Sequence, residues 1–213
     1  MAGWLGSRRA GLIGGGLAIY VVLALFAIAP AAASAASWTS AGHGVSDDRD
    51  QPLESTINPL NVKELKPMWV FTAHGSESAT PAVANGVVYF PDWGGYMNAV
   101  NATTGALIWQ EPISNYDGVT GSYSRDSPAI YGNEVIFGDV LPGVHPAGAH
   151  VFAVNAQTGA LIWSMQVDSN PSAIITGSPL VVDHTDLGVD VDGCAVVGLQ
   201  AVDSDTLTAR LNE

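Results

Sequence analysis

Ala99-Val-Asn101-Ala-Thr-Thr104-Gly105-Ala-Leu-Ile-Trp109 returns almost letter for letter as Ala153-Val-Asn155-Ala-Gln-Thr158-Gly159-Ala-Leu-Ile-Trp163, 54 residues further on. Two such copies mean that one supersecondary unit is used more than once. A second echo runs ahead of each copy. Thr80-Pro81-Ala-Val, Ser127-Pro128-Ala-Ile and Ser178-Pro179-Leu-Val set their prolines 47 and 51 residues apart.

Outward from the repeat, the unit divides into short strands. Residues 82–83 and 87–90 flank Asn85-Gly86, and an Asn-Gly pair between apolar runs is a strong hairpin signal. Residues 96–101 form a third strand, Thr104-Gly105 a turn and residues 106–109 a fourth strand. The second copy repeats the scheme with 129–131, a Gly132-Asn133 turn, 135–137, 151–155 and 161–163. Four antiparallel strands in about 50 residues make a propeller blade rather than a βαβ unit. A degenerate third copy, Ala201-Val-Asp203-Ser-Asp-Thr206, has Leu207 where the turn glycine stood and Leu211 where the tryptophan stood. Residues 65–71, with Trp69, have the look of a ring-closing strand. The expected fold is therefore all-β: a partial propeller of about three blades over residues 36–213. Closed propellers take about four to eight blades. Three leave strand edges open, so a fragment, a truncated product or one part of an oligomeric ring is expected.

The start of the chain reads differently. Arg8 and Arg9 precede a charge-free, mostly apolar run from residue 10 to 29; Pro30 follows, and Ala33-Ser34-Ala35 fits a small-x-small cleavage site. Residues 1–35 are read as a secretory signal of the general or twin-arginine type, sending the chain to the periplasm or beyond. Membrane attachment is expected only through an uncleaved signal, and no cysteine stands at the cleavage point for a lipid anchor. The net charge of −13, from 7 basic and 20 acidic residues, repels phosphate backbones and argues against a nucleic-acid partner. The lone Cys194 excludes an internal disulfide, a cysteine-based zinc site and a Cys-x-x-Cys-His haem attachment in this segment.

The pattern Ala-x-Asx-x-x-Thr-Gly-x-x-x-Trp resembles the tryptophan docking motif of the eight-bladed PQQ-repeat quinoproteins, whose Trp stacks on the peptide of the neighbouring blade's Gly. The resemblance makes Gly105, Trp109, Gly159 and Trp163 the docking residues. The family's usual Asp is Asn101 and Asn155 here. Residues 38–43, 58–69 and 89–95 resemble the polyvinyl-alcohol-dehydrogenase branch. What that resemblance implies is an N-terminal part of an alcohol dehydrogenase with PQQ and calcium as cofactors and a cytochrome c as electron acceptor.

Three residues match cofactor contacts of that family. Arg125, in Tyr123-Ser-Arg125-Asp-Ser-Pro128, offers a planar guanidinium for a carboxylate of the quinone, with a pair to Asp126 as the ordinary alternative. Thr176, in Ile174-Ile-Thr176-Gly-Ser-Pro179, offers a hydroxyl that both donates and accepts. Glu77 stands near a family Glu, one residue out of step, and reads equally as a solvated loop residue. The chain departs from the family elsewhere. Gly121-Ser122-Tyr123 replaces the adjacent cysteine pair, no acidic calcium ligand is matched after Pro179, and the catalytic Asp would come from later blades. No catalytic or metal-binding residue is therefore assigned. Residues 190–193 fail the calcium-loop pattern, and His43, His74, His145, His150 and His184 are expected on loop surface. A dehydrogenase portion is expected to be inactive alone. The alternative is a non-enzymatic propeller scaffold, as in the barrel-assembly scaffold of the outer membrane that uses the same repeats.

Overall fold

A computed structural model of the chain describes residues 37–44, 46–141, 143 and 148–181. The signal reading of 1–35, His145, His184, the loop 190–193 and the degenerate copy near 201–211 lie outside the described residues.

Among the described residues there are eight strands: β1 (Ala82–Ala84), β2 (Val87–Pro91), β3 (Tyr96–Asn101), β4 (Leu107–Pro112), β5 (Ala129–Tyr131), β6 (Glu134–Gly138), β7 (Ala149–Asn155) and β8 (Leu161–Asp168). They form two four-stranded sheets, ordered β1-β2-β3-β4 and β5-β6-β7-β8, antiparallel throughout. These are two blades of a propeller. Asn85 (φ +51°) and Gly86 (φ +77°) both take the left-handed conformation of a type I′ turn, which closes β1 on β2 with Ala84 opposite Val87. A one-turn helix, α1 (Ser114–Asp117), joins the blades.

The repeated motif earns its residue types in the β3–β4 and β7–β8 turns. The Asn101 side-chain oxygen accepts from the Thr103 and Thr104 amides at 3.0 and 2.9 Å. Asn155 does the same for Gln157 and Thr158 at 2.9 and 3.1 Å. One acceptor oxygen does all of this, so Asn serves as well as the family's Asp. The threonine hydroxyls then accept from Ala106 and Ala160, each at 3.3 Å. Ala99 and Ala153 pair across the ladder with Trp109 and Trp163 and leave room for the indoles.

Blade-to-blade contact rests on tryptophan. A Cβ on Gly159 would sit 2.7 Å from Trp109 Cε3, and a Cβ on Gly105 would sit 2.7 Å from Trp69 Cδ2. Both glycines have positive φ, +73° and +69°, so backbone conformation and close approach both demand Gly. Trp109 Nε1 donates to the Ala156 carbonyl at 2.8 Å, and Trp69 Nε1 to the Ala102 carbonyl at 2.9 Å. Each indole N–H is thereby satisfied three residues upstream of the glycine that the ring covers. Trp163 closes the last described blade and donates instead to Glu134 Oε2 of its own blade at 3.2 Å. Around these contacts one apolar core runs through both sheets, including Met97, Trp109, Val135, Phe137 and Phe152.

Residues 65–71 do not form the expected strand; within them Trp69 docks on Gly105 and Phe71 packs edge-on against Phe90 of β2, with ring centroids 5.8 Å apart. Leu65, Met68 and Val70 are exposed, and no strand lies beside the segment among the described residues to supply a ladder. The segment at residues 37–40 instead binds the innermost strands. Trp38 and Val83 exchange N–H···O bonds at 2.8 and 2.7 Å, and Ile130 N–H donates to Thr39 at 2.8 Å. A second inter-blade link uses the Ser/Thr-Pro echo: Thr80 N–H donates to Ser127 Oγ at 2.7 Å, and Ser127 N–H to Ser178 Oγ at 2.9 Å.

Candidate cofactor-facing site

The loop before β5 alternates inward, outward, inward. Ser124 and Asp126 are buried while Arg125 between them is exposed. The alternation is fixed from inside. The Ser124 hydroxyl donates to Asp126 Oδ1, and Gly138 N–H donates to Asp126 Oδ2 at 2.7 Å. Burial pushes the Asp126 carboxyl up to about 7, against the lowering effect of those two hydrogen bonds. With Asp126 turned inward, the Arg125 guanidinium lies over the Trp93 ring, 5.7 Å from its centroid, within cation–π range. That geometry replaces the Arg125–Asp126 pair as the resting arrangement.

Thr176 leaves the next loop at the matching position, two residues before its Ser-Pro. It is exposed beside the buried Ile175, whose N–H donates to the Asp139 carbonyl at 2.9 Å. The loops of Arg125 and Thr176 are thus both tied to the end of β6, one to Gly138 and one to Asp139. The Ser127–Ser178 link ties them a second time.

Glu77 belongs to a loop lodged against residues 92–95. Gly75 and Gly94 touch there: a Cβ on Gly75 would meet Gly94 N at 2.2 Å. Trp93 N–H donates to the Ser76 carbonyl at 3.0 Å, and Trp93 Nε1 to Ser78 Oγ at 2.9 Å. Loss of hydration is the main cause raising the Glu77 carboxyl to about 7; the Asp92 charge adds to it, and the Ala79 and Ser78 amides oppose it. The residue remains exposed, so surrounding water moderates the effect.

The structure also holds groups that sequence reading passed over. Asp139 is fully buried and accepts from the His150 amide at 2.8 Å and faces His150 Nδ1 at 3.0 Å. Burial raises its pKa and the histidine opposes the rise. His150 is consequently not a loop-surface residue: it lies in β7, its ring stacked on Phe152 with centroids 6.0 Å apart. The available signal was the repeat itself, since Asp92 and Asp139 stand two residues after Phe90 and Phe137. Trp93, whose ring also meets Tyr123 at 5.5 Å, had no signal beyond its place in a resembling segment. Among the described residues no group of three or more His, Cys, Asp or Glu is arranged to hold a metal.

The repeat, the blades and the tryptophan contacts define a class, the PQQ-repeat β-propellers. The PQQ_2 family model, described as outer membrane protein assembly factor BamB, matches residues 40–207, and the chain belongs to that family. The quinoprotein alcohol dehydrogenase PedH of Pseudomonas putida is 32% identical over 149 residues, covering 67% of this chain and 24% of the relative. The polyvinylalcohol dehydrogenase of a Pseudomonas species is 27% identical over 151 residues, covering 67% and 21%. A solved quinohemoprotein alcohol dehydrogenase from Pseudomonas putida HK5 shares 20% identity at a TM-score of 0.41, covering 62% of this chain and 27% of that one. The chain thus spans between a fifth and a quarter of these two curated relatives.

Proposed function

We propose that this chain forms the leading blades of an exported PQQ-dependent alcohol dehydrogenase, over residues 36–213, and that it turns over no alcohol by itself. The observation that carries the reading is the shared anchor at the end of β6, from which Arg125 and Thr176 emerge on neighbouring loops. A guanidinium meets a carboxylate through two parallel N–H bonds, and a hydroxyl adds a donor or an acceptor. That donor set fits the carboxylates of a tricarboxylate quinone. Glu77, raised to about 7, holds a proton on a fraction of molecules at neutral pH and then donates rather than repels. When bound, the quinone supplies the oxidising chemistry, and the protein's part is orientation and electrostatics. The described residues bind and orient; none is assigned as a base. Calcium is the second cofactor that the family resemblance implies, and none of the described residues is assigned to hold it. The basic pair Arg8-Arg9 and the uncharged run behind it support export to the periplasm, and a cytochrome c is the proposed electron acceptor.

The test is a titration of PQQ into the purified chain and into Arg125→Ala. The variant is expected to bind more than tenfold more weakly, a loss above about 1.4 kcal/mol; equal affinity removes Arg125 from the site. Dye reduction with alcohol and PQQ is expected to be absent, and measurable turnover contradicts the incompleteness of the site. The description of the matching family as an assembly factor favours a second reading, a non-enzymatic scaffold, under which the wild-type chain does not bind PQQ.

A further inference from the structure

Two side chains of the candidate site, Arg125 and Glu77, sit on loops 48 residues apart in sequence, and one residue touches both. Trp93 is half exposed, at 46%, yet its backbone, its indole N–H and its ring are all engaged. Its backbone amide donates to the Ser76 carbonyl at 3.0 Å, its indole N–H to the Ser78 hydroxyl at 2.9 Å, and the Tyr123 ring lies tilted against it with centroids 5.5 Å apart. The two hydrogen bonds lead to the residues on either side of Glu77. The Arg125 guanidinium lies over the same ring, 5.7 Å from its centroid.

We propose that Trp93 is a positioning residue: it holds the Arg125 guanidinium in place for an anionic ligand and links it to the Glu77 loop through Ser78. The proposal rests on the functional reading above for the identity of that ligand, PQQ, but not for the positioning itself. An arginine side chain has several free torsions and loses much rotamer freedom when it binds. A ring that already engages the guanidinium removes part of that loss before the ligand arrives. The ring does this through its electron-rich face, so it leaves the N–H edges of the guanidinium free for carboxylate oxygens. Ser78 in turn sets the tilt of the ring.

The test uses the full chain with Trp93→Leu, Trp93→Phe, Ser78→Ala, Arg125→Ala and the double variant Trp93→Leu/Arg125→Ala. The first readout needs no ligand: the Arg125 Nε–H proton resonance, identified by its loss in Arg125→Ala. It is expected to be shifted upfield by the ring current in the wild type, to keep most of the shift in Trp93→Phe, and to return to the ordinary arginine position in Trp93→Leu. The second is PQQ affinity. Trp93→Leu is expected to weaken binding about two- to fivefold, with a smaller loss in Ser78→Ala and no further loss when added to Arg125→Ala. An unshifted wild-type resonance overturns the proposal. So does an equal loss of affinity from Trp93→Leu on both backgrounds, which marks a structural role independent of Arg125. If the wild type shows the shift but does not bind PQQ, the cofactor reading falls while the positioning of Arg125 is upheld.

Discussion

Asp126 is enclosed, fully buried, and holds its loop by accepting from Ser124 and Gly138. A carboxyl raised to about 7 makes stability depend on pH with a definite sign. The unfolded chain loses the Asp126 proton near the ordinary pKa of about 4, while the folded chain keeps it to about 7. Between those values the folded state binds more protons, so stability falls as pH rises. Asp139, raised in the same direction, adds to the slope. Asp126→Asn keeps an oxygen for the Gly138 amide and offers an NH₂ to the Ser124 hydroxyl. Urea midpoints are expected to be higher at pH 5 than at pH 7.5 in the wild type, with a smaller difference in Asp126→Asn. An unchanged difference removes Asp126 as a source of the slope. Arg125 and Thr176 were candidates in the sequence through the family resemblance of the segments that carry them. Sequence alone could not expose what holds them, because Asp126 reads as a surface partner for Arg125 until the Gly138 amide is seen to claim it.

At the scale of the element, the turn and the docking tryptophan act together. Gly159→Ala brings a strained positive φ and a Cβ at 2.7 Å from the Trp109 ring, and is expected to cost about 2 kcal/mol or more. Trp109→Phe keeps much of the ring but leaves the Ala156 carbonyl without its indole donor. The same carbonyl still accepts from Tyr89 at 3.1 Å, so the expected cost is about 1 kcal/mol rather than the larger penalty of an orphaned group. Ser178→Ala removes the hydroxyl that receives the Ser127 amide, again about 1 kcal/mol. Chemical denaturation of each variant reads these losses, and a Gly159→Ala midpoint equal to wild type speaks against docking on that peptide. Strands were legible because period-two apolar runs and Asn-Gly or Gly-Asn pairs specify hairpins locally. The role of Trp69 was not: its partner Gly105 lies 36 residues away, and the apolar residues around it read as a strand that finds no partner among the described residues.

At the scale of the molecule, two blades are described, and the second ends on a tryptophan whose N–H returns to Glu134 of its own sheet. Leu161 and Ile162 on β8 are exposed at 43% and 46%, as are their counterparts Leu107 and Ile108 on β4 at 52% and 45%, so this exposure belongs to the outer strand of each blade. The repeat fixed this architecture at the level of sequence because each blade depends on its neighbours through a few constant residues. Function was legible only as far as the loops that precede each Ser-Pro, since a propeller site is assembled from many blades and these residues contribute a minority of them. The central claim, that this chain is the front of a larger quinone-binding propeller, is tested most directly by sequencing the gene through and past codon 213. The account predicts further in-frame copies of Ala-x-Asx-x-x-Thr-Gly-x-x-x-Trp. A stop with no such copy in any frame contradicts it.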